Sequence, residues 1–233
     1  MLAIDVVGSS SSGNCYVLRT SKEILLLECG MPYAKLLESL NHTIKNVIGC
    51  LISHEHKDHS AAMKEIVKAG INIYTSAGTL ESIGIKNHRT NIVKSNHQFE
   101  IGSFSVLPFT TEHDAKEPLG FLIQHDEFGK LLFATDSYYL RYKFIGLNYI
   151  MIECNYSHEI ISENLKRGIV NKAQISRLLQ SHFSLERVKQ FLTANNLSEV
   201  KEIMLLHLSD RNSNAEKFKS EIEKLTGIPV RIC

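Results

Sequence analysis

Leu51-Ile52-Ser53-His54-Glu55-His56-Lys57-Asp58-His59 is the stretch that decides how this chain is read. Val47–Ser53 is a continuous apolar run rich in Val and Ile, which predicts a buried strand. It delivers three imidazoles and the Asp58 carboxylate within six residues. Imidazole and carboxylate are the ligands that borderline divalent metals accept. His54 and His56, two apart in an extended turn, project to one side. Asp58 and His59 open the predicted helix His59–Ala69, where they can serve a second ion. Gly70 is placed as its stop.

Outward from this stretch the pattern is short strands interspersed with helices. Ala3–Val7, Cys15–Arg19, Ile24–Leu27, Ile71–Thr75, Ile92–Lys94, Phe104–Pro108, Leu119–His125, Leu131–Thr135, Tyr149–Glu153 and Glu202–Leu206 read as strands. Tyr33–Leu40, Gln174–Gln180, Leu185–Asn195 and Asn214–Thr226 have helical spacing, the last with a capping box of Ser213 and Glu216. A short helix opens at Ser76 or Thr79. The Ser-rich stretch Gly8–Asn14 reads as a loop, and it lacks the Gly-Lys-Ser/Thr ending of a phosphate-binding P-loop. Strands with helices between and after them predict a layered α/β sandwich. No Pro/Gly/Ser-rich linker interrupts the chain, so one domain over residues 1–233 is expected.

Composition narrows the function classes. At 43% hydrophobic over 233 residues the chain is too apolar for a disordered tail. Lys+Arg of 26 against Asp+Glu of 25 leaves a charge of +1, so no global basic field holds a long nucleic acid. A local patch remains compatible with one. The N-terminus has no basic n-region, and apolar runs such as Ile24–Leu27 are far too short to span a bilayer. Five cysteines without C-x-x-C spacing read as reduced thiols. A cytoplasmic location and no membrane partner are therefore expected.

The pattern H-x-H-x-D-H after an apolar strand resembles the signature of the metallo-β-lactamase superfamily. The resemblance implies a four-layer αββα sandwich carrying one or two metals. It extends to His113 in Thr110–Asp114, Asp136 in Phe133–Ser137 and His207 in Leu205–Ser209. It implies one ion on His54, His56 and His113 and a second on Asp58, His59 and His207, bridged by Asp136. Asp58 is also counted among the catalytic groups. Zinc and manganese both suit these ligands. Where the family usually has Asp after its early strand, this chain has Glu28-Cys29-Gly30. Glu28 either keeps an orienting role or is a plain strand-end carboxylate. Two ions suit phosphodiester hydrolysis, since they activate water near neutral pH and offset phosphoryl charge.

His182 in Ser181–Glu186 is read as lying at a helix start, and Glu153 ends a strand. The pair resembles the tRNase Z branch, which implies that His182 protonates the leaving oxygen while Glu153 orients it. His42, His88, His97, His125 and His158 lack ligand spacing and are read as structural. Five of the eight tyrosines fall between Tyr138 and Tyr156. Tyr138 can stack a base, and core or interface packing explains the cluster as well. Ser209 and Asn212, with Arg211 and Asn214, either contact phosphate or cap the following helix.

Only about seventy residues separate Asp136 from His207, too few for a large inserted nuclease domain. The N-terminal Gly-Ser-Ser-Ser-x-Gly-Asn and the His-Leu-Ser-x-x-Asn ending are shared with the YycJ/WalJ exonuclease-like group. Glu28–Gly30, Glu117–Phe121 and His207–Asn214 also resemble compact phage-type anti-Pycsar proteins, which hydrolyse 3′,5′-cyclic nucleotides. The expectation is a two-metal phosphodiesterase of cyclic mononucleotides, acting in the host cytoplasm if phage-encoded. A nuclease acting on DNA or RNA ends is the first alternative; thioester or lactam hydrolysis and a non-catalytic nucleotide-binding module are the others. The resemblance also implies a homodimer.

Overall fold

The computed structural model describes residues 3–233. Contacts divide the chain into two compact units. Unit 1 comprises the residues up to Thr110 together with Ala115–Gly129, and unit 2 comprises Thr111–Asp114 and Lys130–Cys233.

Unit 1 holds β1 (Ala3–Ser10), β2 (Gly13–Arg19), β3 (Ile24–Leu27), α1 (Tyr33–Ser39), β4 (Val47–Leu51), α2 (Lys57–Ser60), α3 (Met63–Lys68), β5 (Ile73–Thr75), α4 (Ala77–Ile83), β6 (Thr90–Ile92), β7 (Phe99–Ile101), β8 (Phe104–Thr110) and β9 (Leu119–His125). The first six strands form one sheet in chain order. Its first three strands pair antiparallel and its last four parallel. Parallel strands need both faces covered, and Leu25–Leu27 and Cys50–Leu51 are accordingly buried. Leu36 of α1 and Met63, Ile66 and Val67 of α3 pack against these strands. Strands β7, β8 and β9 pair antiparallel.

Unit 2 holds β10 (Gly129–Ala134), β11 (Tyr149–Glu153), α5 (His158–Lys166), α6 (Lys172–Ser181), α7 (Leu185–Ala194), β12 (Glu202–Leu206), α8 (Ala215–Thr226) and β13 (Val230–Ile232). The four strands pair parallel in the order in which they occur. Leu131–Ala134, Ile150–Ile152 and Ile203–Leu206 are wholly buried, as unbroken apolar runs in a parallel sheet must be.

Several sequence expectations need correction. The helix expected over His59–Ala69 is two short helices, because Ala62 N–H donates to the Cys29 carbonyl (2.9 Å) rather than continuing α2. The Ser-rich loop is a hairpin: β1 runs to Ser10, β2 starts at Gly13, and only Ser11 and Ser12 turn. Helix α8 is capped by Asn214, whose side chain accepts from Lys217 N–H (3.0 Å), whereas Ser213 Oγ donates to the Ser209 carbonyl. His182 is the C-cap of α6 and not a helix start; Ser184 caps α7. Helix α5 and strands β7 and β13 were not expected. The signal for α5 was Ser157, whose Oγ accepts from Ile160 N–H (3.3 Å).

Candidate functional site

In a parallel sheet, the loops leaving the carboxyl ends of adjacent strands gather side chains at one edge. Unit 1 does this with β3 and β4, where Leu27 pairs with Leu51. Glu28 follows the first strand and Ser53-His54 the second. His54 Nδ1 lies 2.8 Å from Ser53 Oγ, and its Nε2 faces His56 Nδ1 at 3.0 Å. The two imidazoles expected to project together do so. His59 Nε2 lies 3.3 Å from Asp58 Oδ2, and its ring centroid is 4.3 Å from that of His54.

Glu28 is fully buried, with a left-handed φ of 63°. Its carboxylate accepts from Ser53 N–H (3.2 and 3.3 Å) and lies 3.6 Å from His59 Nδ1. It therefore touches the His59 ring and the backbone that leads into His54. Burial pushes its carboxyl above the usual range, against the opposing pull of His59 and Ser53. Cys29 N–H donates to the His59 carbonyl (2.8 Å). Gly30 permits this approach: a Cβ there would stand 1.7 Å from the Asp58 carbonyl oxygen. Asn14, which carried no assigned role, donates to that same oxygen (3.3 Å) and lies 3.1 Å from His59 Nε2.

Unit 2 builds its set on the ends of three adjacent strands. Glu153 ends β11, directly beside Leu206 of β12, so His207 follows alongside it. Asp136 follows β10 by two residues. Asp136 (φ 42°) and His207 (φ 51°) both hold left-handed backbone without being glycine. Such strain persists where the surroundings fix it, and it concentrates at functional positions. Asn155 does part of the fixing, donating to the His207 carbonyl (2.8 Å) while its own carbonyl accepts from Ser209 N–H (3.0 Å).

His207 Nδ1 lies 3.1 Å from Asp136 Oδ1 and 3.1 Å from Glu153 Oε1. Glu153, with no exposed surface, also faces His182 Nδ1 at 2.5 Å. Its other oxygen, Oε2, accepts the backbone N–H groups of Ser137 and Phe183, each at 3.1 Å. Burial works against ionisation of Glu153, but the facing imidazoles hold its carboxyl below the usual range. Burial likewise works against the His182 cation, yet Glu153 holds it above the ordinary histidine value. Asp136, Glu153, His182 and His207 each offer a ligand-type atom within 4.8 Å of one another.

The donor chemistry fits a divalent metal. His113 Nδ1 must donate to the Ser181 carbonyl (2.9 Å), which in the neutral ring leaves the lone pair on Nε2, the nitrogen turned toward Asp136 Oδ2, 3.7 Å away. Metal-ligating histidines are commonly fixed by such a donation to a carbonyl. Burial lowers His113 below its ordinary value despite the pull of Asp136, which favours the neutral, ligating form. Each unit thus holds a set of imidazoles and carboxylates with neighbours that orient them.

The residues expected to touch substrate are placed more plainly. Tyr138 is 38% exposed, with its N–H donating to the Glu112 carbonyl (3.0 Å). Ser209 Oγ accepts from Asn212 N–H (3.3 Å), and Asn212 Oδ1 accepts from Asn164 (3.0 Å), so both are built into the turn after β12. Of the histidines read as structural, His125 lies 2.8 Å from Ser103 Oγ and stacks on Phe128.

The family model described as a β-lactamase superfamily domain matches residues 26–207. The chain belongs to the metallo-β-lactamase superfamily. This superfamily's fold is α/β, with two mixed sheets flanked by helices, and a crystal structure of the metallo-β-lactamase fold protein YhfI from Bacillus subtilis aligns with a TM-score of 0.73 at 16% identity, covering 100% of this chain and 97% of that one. Two relatives are more informative. The chain is 27% identical to exodeoxyribonuclease WalJ of Streptococcus pneumoniae, over 91% of its own length and 83% of the relative's. It is 25% identical to exodeoxyribonuclease YycJ of Bacillus anthracis, over 96% and 89% respectively. This metallo-β-lactamase-fold chain is a metal-dependent hydrolase, similar to the YycJ/WalJ exonucleases. Among the described residues, no helix is long and apolar enough to cross a membrane.

Proposed function

We propose that the chain is a metal-dependent nuclease of the YycJ/WalJ kind, cleaving phosphodiesters at DNA ends. The observation that carries the phosphodiester part is the 2.5 Å contact between Glu153 and His182. An expelled sugar alkoxide needs a proton, and a histidine whose Nδ1 is held by a buried carboxylate presents Nε2 to supply it. Preference for DNA rests on the exodeoxyribonucleases to which the chain is similar over nearly its whole length. That similarity favours the nuclease alternative over the cyclic-nucleotide expectation.

The proposed ligands are His54, His56, Asp58 and His59 in unit 1 and His113, Asp136 and His207 in unit 2, as the resemblance implies. Zinc or manganese, once held by such residues, would supply an activated water and offset phosphoryl charge. Glu28 orients His59, Glu153 orients His182, and His182 Nε2 gives its proton to the leaving oxygen.

The test is a chromatographic assay of metal-loaded protein against single- and double-stranded DNA, RNA and a panel of cyclic mononucleotides. DNA shortened from its ends, with loss of activity on chelation, is the expected result. His182→Ala should then lose roughly 10²–10⁴-fold in kcat with its metal content intact. Conversion of cyclic nucleotides to linear monophosphates with every polymer intact would overturn the nuclease reading.

A further inference from the structure

Unit 2 carries a cavity of about 270 Å³ whose wall includes Phe183, the residue that follows His182. Its aromatic lining is Tyr139, Tyr142, Phe183 and Phe191, and its basic lining includes Lys143 and Arg187. No carboxylate lines it. Arg141, also at its edge, is paired with Glu112 (2.6 Å), but among the described residues no carboxylate lies within ion-pair distance of Lys143 or Arg187. The Arg187 guanidinium lies 5.8 Å from the Tyr139 ring centroid, and Tyr139 is 45% exposed.

The cavity is tied to the chemistry by one carboxylate. Glu153 Oε2 accepts from Ser137 N–H, two residues before Tyr139, and from Phe183 N–H, which forms part of the cavity wall. Ser137 Oγ in turn donates to the Tyr139 carbonyl (2.8 Å). Glu153 therefore holds His182 and both wall segments in one arrangement. Aromatic faces next to uncompensated cations, in a space smaller than the roughly 300–1,000 Å³ of a drug-sized site, fit one base with its phosphate. They do not fit a duplex.

We infer that this cavity is the subsite for a nucleotide of single-stranded DNA on the leaving-group side of the cut. A base stacks on Tyr142 or Tyr139, and Lys143 and Arg187 meet its phosphates. The inference rests on the nuclease reading of the His182 site, and it makes a single-stranded end the substrate.

The experiment measures equilibrium binding to the metal-loaded protein of a short oligo(dT) with phosphorothioate linkages, which keeps the charge and resists hydrolysis. The sequence has eight tyrosines and no tryptophan, so quenching of tyrosine emission reports stacking directly. Neutralising both exposed cations, in Lys143→Gln with Arg187→Gln, should flatten the dependence of log K on log salt by about 1.4, at roughly 0.7 per phosphate contact. A purely structural role would not move that slope. Tyr142→Ala should weaken binding about 5- to 150-fold, the range for a lost stacked base. Unchanged affinity and slope in these variants would overturn the subsite, even if the protein degrades DNA normally. Weakened binding in the variants, with no cleavage of DNA by the wild type, would keep the subsite and remove the nuclease reading.

Discussion

Replacing Glu153 with Gln is the sharpest perturbation of this protein, because four donors meet its two oxygens. Oε1 faces His182 Nδ1 and His207 Nδ1, and Oε2 faces the Ser137 and Phe183 backbone N–H groups. An amide has one acceptor oxygen. The backbone pair cannot change its chemistry, so the amide oxygen should turn to Ser137 and Phe183. The amide N–H₂ then faces the imidazoles, and His182 must present Nδ1 as an acceptor. It loses the negative partner that held its cation, so the proposed proton donor becomes a neutral imidazole. Hydrogen bonds to charged groups contribute about 1.5–3 kcal/mol and neutral ones about 1, while breaking a buried charge pair costs about 3–5 kcal/mol. With the backbone bonds retained and the imidazole bonds weakened, Glu153→Gln should destabilise the fold by roughly 2–4 kcal/mol. Its kcat should fall roughly 10²–10⁴-fold, the value of one positioned acid. Urea unfolding followed by circular dichroism gives the first number, and end-shortening of DNA at saturating substrate gives the second. A variant within about 0.5 kcal/mol of wild-type stability, the usual range for a surface change, with kcat lowered less than tenfold would refute the argument that Glu153 organises both His182 and the adjoining backbone.

Three further outcomes are expected. Gly30→Ala places a methyl 1.7 Å from the Asp58 carbonyl carbon-bound oxygen, a backbone atom that no rotamer change relieves; stability should fall by about 3 kcal/mol, the upper range for overpacking, as read from its urea midpoint. Asn214→Ala removes the side chain that accepts from Lys217 N–H and should cost about 1 kcal/mol by the same measurement, without changing kcat. Chelation should abolish hydrolysis and lower the melting temperature, with both restored by zinc or manganese, because clustered imidazoles and carboxylates lose the ion that binds only the folded state; a melting temperature indifferent to chelator would count against the ligand assignment.

What could be read in the sequence divides along a physical line. Ile24–Leu27, Leu119–His125, Tyr149–Glu153 and Glu202–Leu206 have the same bounds in the structure as in the sequence reading, because each is a short run whose side chains are largely buried. Part of the side-chain chemistry was legible too: His54 lies beside His56 as their spacing suggests, whereas Glu153 and His182, which do meet, were paired in the sequence only through the resemblance to the tRNase Z branch. Tertiary bonds to the backbone were not. The helix after His56 breaks where Ala62 N–H turns to Cys29, and nothing in the local pattern Ala61-Ala62-Met63 forbids a continuous helix. Position 182 was misplaced because Ser181-His182-Phe183-Ser184 suits the end of one helix and the start of the next equally well. Asn14 and Asn155 escaped assignment for a related reason, since each acts on a backbone carbonyl, of Asp58 or of His207, and a carbonyl has no residue type to signal it. The same holds for Ser137 and Phe183, whose N–H groups fix Glu153. Residue types and the family resemblance therefore single out the imidazoles and carboxylates that the strand ends bring together, whereas the groups that hold them at left-handed φ and at 2.5–3.1 Å become visible only once the strand ends are side by side.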